Sequence, residues 1–237
     1  MGGAMIGMPE GVRKLLVAYD VEGYGGRGNR LELATQQRLA DVLTYAFSEA
    51  KVPPDAYEIQ EQGDGGLALL PTGTGVDEPR VITTLIGALE AGLAAINEDL
   101  VANARVRLRV ALDEGVVHRA AHGFAGPAVT AVCRLRDAAV VKEMLASSSG
   151  HLVVVVADHL YRDVLAHALG RSFVQADVTA KELAARAWIY LPVGTVPRPS
   201  PAPAAEPGPS ARQVPDSSEQ SGVPRLEDAL RTDPGLW

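Results

Sequence analysis

The chain has 237 residues, enough for one substantial domain with an appendage or for two small domains. It is 47% hydrophobic but only 5% aromatic, so its core must be aliphatic. A net charge of −7 argues against bulk nucleic-acid binding, which needs a basic face. The single cysteine, Cys133, excludes a disulfide framework and a cysteine-based zinc site and fits a reducing, cytoplasmic compartment. No uninterrupted apolar run approaches the ~18 residues of a membrane span. Met1–Val12 lacks the basic start and apolar core of a signal peptide, and residues 1–13 read as a flexible N-terminus.

The first predicted element is a short buried strand, Lys14–Tyr19, ending abruptly in Asp20 and the glycine-rich run Val21–Gly25. A helix follows over Leu31–Ala50, with Leu39, Val42, Leu43, Ala46 and Phe47 on one stripe. Pro53-Pro54-Asp55 ends it. Tyr57–Gln62 and Leu67–Leu70 then predict a hairpin around Gly63-Asp64-Gly65-Gly66. Each aspartate therefore sits where a strand meets a glycine-rich bend, which exposes a carboxylate without covering it. In neighbouring strands, Asp20 and Asp64 can share a divalent cation through hard oxygen ligands. Such a cation keeps open positions for water and phosphate. Each residue also has a plainer reading: Asp20 as a turn or cap residue, Asp64 as half of an Asp-Gly type I′ turn.

A second helix is expected over Glu78–Leu100, carrying Leu85, Leu89, Leu93 and Ile96. Arg105–Leu112 and Gly115–Arg119 predict a second hairpin, turning at Asp113-Glu114-Gly115. A third helix runs from Ala128 to Ala146, Leu152–Ala157 is a strand, and a helix capped by Asp158 stops at Gly170. Phe173–Val178 and Ala187–Leu191 close the ordered part as strands. The order β-α-β-β-α-β is that of a ferredoxin-like α+β sheet, here extended by a further helix and more strands. His118 and His122 lie across a loop rather than on a helix, so they read as structural or solvated rather than as a metal pair. Cys133 reads as packing, and His159 and His167 as part of a solvated face.

The tail differs in kind. Half of the prolines, 8 of 16, fall between Pro197 and Pro224 among Ser, Ala, Gly and Gln. Residues 194–237 cannot bury enough apolar surface to offset the cost of ordering and are expected to be disordered. Arg225–Leu230 allows one helical turn ahead of Trp237, which reads either as a docking peptide for a protein partner or as an idle end.

Leu108–Leu135 contains Leu-Arg-Val-Ala-Leu-Asp-Glu-Gly-Val-Val and then Gly126-Pro-Ala-Val-Thr-Ala-Val-Cys-Arg-Leu. This segment resembles the catalytic domain of class III nucleotidyl cyclases. Asp20 and Asp64 fall where that family keeps its two metal-binding aspartates, and the likeness runs in order from Lys14 to Pro192. The resemblance implies that a nucleoside triphosphate binds with Mg²⁺ or Mn²⁺ and that its 3′-hydroxyl attacks the α-phosphate. Asp20 and Asp64 would hold the metals, backbone amides around Gly23, Tyr24 and Gly25 would cradle the phosphates, and Arg134 would neutralise charge on the α-phosphate. Lys181 matches the family's late phosphate-binding lysine more loosely. The family builds its site at a homodimer interface, with metal residues from one chain and the arginine from the other.

The chain departs from the pattern at three places. Thr130 stands where the family has asparagine, one turn before the arginine on the same helix face. Gln60 and Pro127 stand at the two base-reading positions, where adenylyl and guanylyl cyclases keep other residues. The base therefore stays open among ATP, GTP and a pyrimidine triphosphate. Two function classes follow: a metal-dependent nucleotidyl cyclase, or a catalytically silent cyclase-like domain that binds a nucleotide or a protein. A diguanylate cyclase lacks support, because its Gly-Gly-Asp/Glu-Glu-Phe signature is missing.

Overall fold

The computed structural model describes residues 10–168 and 172–192. The tail, with Arg225–Leu230 and Trp237, lies outside the described residues, as does Gly170. The strands are β1 (Gly11–Val21), β2 (Glu58–Glu61), β3 (Gly65–Leu70), β4 (Leu108–Ala120), β5 (Gly123–Ala125), β6 (Leu152–Ala157), β7 (Phe173–Ala180) and β8 (Leu183–Tyr190). The helices are α1 (Asn29–Glu49), α2 (Glu78–Asn97), α3 (Pro127–Asp137), α4 (Ala139–Ser147) and the short α5 (Asp158–Leu160).

The strands form one sheet in the order β2-β3-β1-β4-β6-β8-β7, with β5 paired to the outer part of β4. The β2-β3-β1-β4 half is the ferredoxin-like unit, antiparallel throughout. β6 then joins β4 in parallel, and the β7–β8 hairpin closes the far edge. Every residue of β3 and β6 is buried, which requires cover on both faces. Aliphatic side chains supply it, as the low aromatic content demands, in one continuous core running from Leu15 to Tyr190.

The predicted helix stripes hold: Leu39, Val42, Leu43, Ala46 and Phe47 of α1 and Leu85, Leu89 and Leu93 of α2 are buried, and Ile96 is half-buried against the core. By length and composition α2 also passes as a candidate membrane span. Counting uninterrupted apolar runs overlooked this, because its Thr, Gly and Glu residues break the run without lowering the average enough. In the fold its apolar stripe is core.

Two expectations are corrected. Asp113-Glu114-Gly115 is not a turn, because β4 runs unbroken for 13 residues and all 11 residues of β1 pair along it. The ladder overrides a turn-like triplet. β1 accordingly starts at Gly11, inside the segment expected to be flexible. Gly115 serves close packing instead: a Cβ there would sit 2.6 Å from the Ala128 Cβ of α3. The third helix is in fact two, broken at Ala138, whose ψ of 142° is extended. No Gly or Pro marks the break, which is tertiary in origin: it lets Leu135, Ala138 and Val141 all bury.

Opposed residues of an antiparallel pair share a face. Lys14, Leu16, Ala18 and Asp20 of β1 thus lie on the face of β4 that carries Arg109, Asp113 and Gly115, and α3 covers that face. The alternate β1 residue Tyr19 meets α1, sharing a hollow with Leu39 and Leu43.

Candidate active site

Asp20 lies in β1 opposite Gly65, the first residue of β3. A Cβ at Gly65 would come within 2.3 Å of the Tyr19 carbonyl and 2.9 Å of the Asp20 Cβ, so only glycine lets the strands approach here. The hairpin carrying Asp64 is then locked onto β1, because Val21 N–H donates to the Asp64 carbonyl at 2.9 Å. Gly63 takes φ 78° while Asp64 stays at negative φ, which fits a type II′ turn and not the plainer alternative of an Asp-Gly type I′ turn. The structure therefore brings Asp20 and Asp64 together at adjoining strand ends.

Asp20 already has a cationic partner. Arg109, opposite it across the β1–β4 ladder, donates from Nε to Oδ1 at 2.9 Å and from Nη2 to Oδ2 at 2.5 Å. Arg136 of α3 donates to the Tyr19 carbonyl at 3.3 Å and adds a second positive charge that acts on Asp20. Asp20 and Asp64 offer the hard oxygen donors that a divalent cation such as Mg²⁺ or Mn²⁺ requires, and the positive charge now beside Asp20 is that of Arg109; among the described residues no group of three or more Asp, Glu, His or Cys side chains gathers to complete a set. Sequence reasoning missed both arginines. Arg109 reads as one of two alternating arginines in Val-Arg-Leu-Arg-Val, and only the strand register reveals its partner.

Beyond Asp20 the chain bends through Glu22 and Gly23, the latter at φ 65°, into a single turn over Tyr24–Gly26. Arg27 holds this loop, donating to the carbonyls of Glu22 at 2.9 Å and Gly23 at 3.3 Å. The Tyr24 hydroxyl accepts from Gln36 Nε2 at 2.8 Å. A Cβ built at Gly23, Gly25 or Gly26 would meet nothing, so the loop backbone faces open space. Glu22 does not join the aspartates: its carboxylate pairs with Arg107, which also donates to the carbonyls of Gly150 and Ser148 at 3.0 Å. This matches a role in the loop rather than at a metal.

Thr130, Arg134 and Lys181 gather elsewhere, around a cleft of about 650 Å³ between α3, α4 and the β7–β8 turn. A neighbouring hollow of about 340 Å³ is lined by Pro127, Thr130, Arg134 and Glu182, so Arg134 stands between the two. Arg134 forms an ion pair with Glu182, whose side chain is 80% exposed. Lys181 holds φ 54° in the two-residue turn between Ala180 and Leu183. A bulky residue in that conformation carries local strain of about 1 kcal/mol, and such strain concentrates at functional positions. Asp20 and Asp64 line neither hollow.

Gln60 and Pro127 are linked through β5. Gln60 Oε1 accepts the Phe124 N–H at 3.1 Å, three residues before Pro127, and a Cβ at Gly123 would collide with the Gln60 side chain. The outer part of β4 and β5 thus fold back on β2, held further by the Arg119–Glu58 ion pair. Pro127 is the first residue of α3, where its missing N–H costs nothing.

Among the groups whose titration is displaced, Tyr19 and Asp113 lie on the two faces of the sheet at the site. Burial and the Glu61 charge push the Tyr19 hydroxyl up to about 12. Burial pushes the Asp113 carboxyl up to about 6, against a hydrogen bond from Glu114 N–H and the charge of His159, which lies 3.3 Å away. His118 lies on β4 opposite Gly11 and His122 in the β4–β5 turn. Cys133 is half-buried on α3.

Neither a protein-family profile nor a curated protein matches the chain. Solved structures do. An adenylate/guanylate cyclase/hydrolase from Silicibacter pomeroyi aligns at TM-score 0.57 and 18% identity, over 78% of this chain and 99% of the other. The guanylate cyclase domain from Catenaria anguillulae, solved in complex with GTP, aligns at TM-score 0.54 and 13% identity, over 78% of this chain and 97% of that domain. A monomeric guanylyl cyclase domain from Blastocladiella emersonii gives TM-score 0.52 at 14% identity, over 78% and 98%. The fold is that of class III nucleotidyl cyclase catalytic domains.

Proposed function

We propose that the chain is a metal-dependent nucleotidyl cyclase, acting as a homodimer, that converts a nucleoside triphosphate to a 3′,5′-cyclic nucleotide and pyrophosphate. The observation that carries this reading is the locking of the Asp64 hairpin against Asp20 within a cyclase fold. Asp20 and Asp64 are the residues that would hold Mg²⁺ or Mn²⁺. When bound, such a cation lowers the pKa of the attacking 3′-hydroxyl and offsets charge on the leaving pyrophosphate.

The remaining roles belong to the chain itself. The open backbone of Gly23–Gly26 and the uncapped N-terminus of α1 at Gly28 offer N–H donors to the β- and γ-phosphates. Arg134 supplies a planar two-point donor for the α-phosphate, Thr130 a hydroxyl on the same helix face, and Lys181 a point charge across the cleft. Gln60 and Pro127 flank the place for the base. Because the carboxylates and the Arg134 cleft are separate parts of one chain, a second copy is the simplest way to bring them onto one nucleotide.

The second reading is a silent cyclase-like domain that binds a nucleotide or a partner protein. Thr130 in place of asparagine and the engagement of both Asp20 oxygens by Arg109 favour it. Incubation with ATP, GTP, CTP and UTP and either cation, with products identified by mass spectrometry, decides between them. The cyclase reading expects a cyclic monophosphate from the wild type and none from Asp20→Asn or Asp64→Asn. A folded, dimeric protein that makes no product from any nucleotide establishes the silent reading.

A further inference from the structure

We propose that the chain carries a second binding site, for a small amphipathic carboxylate, where the C-terminal end of α1 meets the start of α2. Lys51 and Arg80 take the carboxylate, and the hollow beside Phe47 and Tyr57 takes the apolar body. The proposal stands apart from the cyclase reading and does not depend on it.

The backbone marks Lys51 first. Seven of the described residues with positive φ are glycines; the other two are Lys51 at 59° and Lys181 at 54°. Lys51 closes α1: its N–H donates to the Ser48 carbonyl, and Val52 N–H donates to the Phe47 carbonyl, both at 3.0 Å. Glycine is the usual residue at that place in a helix end, because a side chain there costs about 1 kcal/mol. The chain carries that cost at two lysines, and Lys181 already lines a cleft. Strain of this kind persists where the side chain itself is needed.

Lys51 stands between two hollows that share Val52 and Pro53 in their walls. The first, of about 430 Å³, is lined by Phe47, Val52 and Tyr57, and Lys51 is its only charged residue. Phe47 and Val52 are 1% and 4% exposed, and the Phe47 and Tyr57 rings lie 4.5 Å apart. The second, of about 320 Å³, adds Arg80 and Asp77. The Asp77 carboxylate is already engaged, accepting from Arg80 N–H at 3.2 Å as the cap of α2. The Lys51 ammonium and the Arg80 guanidinium have no partner among the described residues. An aromatic hollow with two unpaired cations on one side complements a molecule with an apolar body and one anionic end. A carboxylate suits that end, because a guanidinium engages it at two points. The hollow's volume suits an aryl or short alkyl body. The place is remote from the aspartates: β3 leaves Asp20 at Gly65, and Pro71, just past its other end, lines the second hollow. At ~3.3 Å per residue that is about 20 Å away.

Calorimetric titration of the full chain with phenylbutyrate, and with the neutral phenylbutanol, tests the site. The carboxylate binds wild type one to one with a sub-millimolar Kd, and the alcohol binds about tenfold more weakly. Lys51→Met weakens the carboxylate about tenfold and leaves the alcohol unchanged. Lys51→Gly weakens it equally while raising the melting temperature, since glycine relieves the positive φ; a merely structural lysine would not separate the two readouts. Ser48→Trp fills the hollow and abolishes binding of both compounds. Absence of phenylbutyrate binding up to about 10 mM overturns the proposal. So does equal phenylbutyrate affinity in wild type and Lys51→Met, or binding that survives Ser48→Trp. Should Ser48→Trp fail to fold, Thr44→Trp fills the same hollow from one turn earlier in α1.

Discussion

The two halves of the candidate site are built on opposite principles. Around Asp20 the polar groups are mutually satisfied within one chain: two guanidiniums, a strand ladder and a glycine contact fix one carboxylate in place. Around Arg134 the polar groups face an open cleft, restrained by one exposed glutamate and a strained two-residue turn. The Asp20 carboxylate is fully paired within the chain, whereas Thr130 and Lys181 line an open cleft beside Arg134. On the cyclase reading proposed above, a second copy would set one kind of half against the other, one holding charge in place and one receiving it.

The largest expected effect comes from Asp64→Asn, which keeps the hairpin but removes a carboxylate that the proposed cation would use. Mn²⁺-dependent turnover should fall by about 10³ or more, with an unchanged circular dichroism spectrum. A changed spectrum would mean that Asp64 is structural. Thr130→Asn sharpens the open half: restoring an amide one turn before Arg134 should raise kcat by about 10–100-fold, measured under saturating Mn²⁺ and nucleotide. An unchanged kcat would show that the threonine hydroxyl already makes the contact.

Asp113 tests how sealed the α3-covered face is. Its carboxyl titrates near 6 in the fold, above its ordinary value, because burial disfavours the charge. Folded protein therefore holds this proton more tightly than unfolded chain does, and stability falls as pH rises from about 4 to about 6. Asp113→Asn should be more stable than wild type by about 1–3 kcal/mol at pH 7–8, and the two should converge near pH 4. Melting temperatures across pH 4–8 check the sign; a wild type that gains stability over this interval would refute it. The smallest effect belongs to Lys181→Gly, which relieves the positive φ and should add about 0.5–1 kcal/mol of stability. It should also raise the nucleotide KM, because the open half loses a cation. Stabilisation without a change in KM would remove Lys181 from the site.

The sequence by itself determined the elements whose pattern is local. Aliphatic runs ending in Asp20 and beginning after Asp64, the stripes of α1 and α2, and the β-α-β-β-α-β order all follow from periodicity and turn residues, while the cyclase fold came into view only through the resemblance carried by Leu108–Leu135 and the two aspartate motifs. Local signals failed where long-range pairing overruled them. Asp113-Glu114-Gly115 has the composition of a turn, yet the whole length of β1 pairs across it and makes it strand. Ala138 has the composition of a helix, yet burying Leu135 and Val141 together breaks the helix there. The candidate residues were legible one by one, but their grouping was not. Only the tertiary structure decided that Asp20 faces Arg109, that Glu22 belongs to Arg107, and that Arg134 and Lys181 share a cleft apart from the aspartates. The physical reason is that strand register and helix placement, set by the whole core, choose a charged residue's partner, and neither is written in the residues beside it.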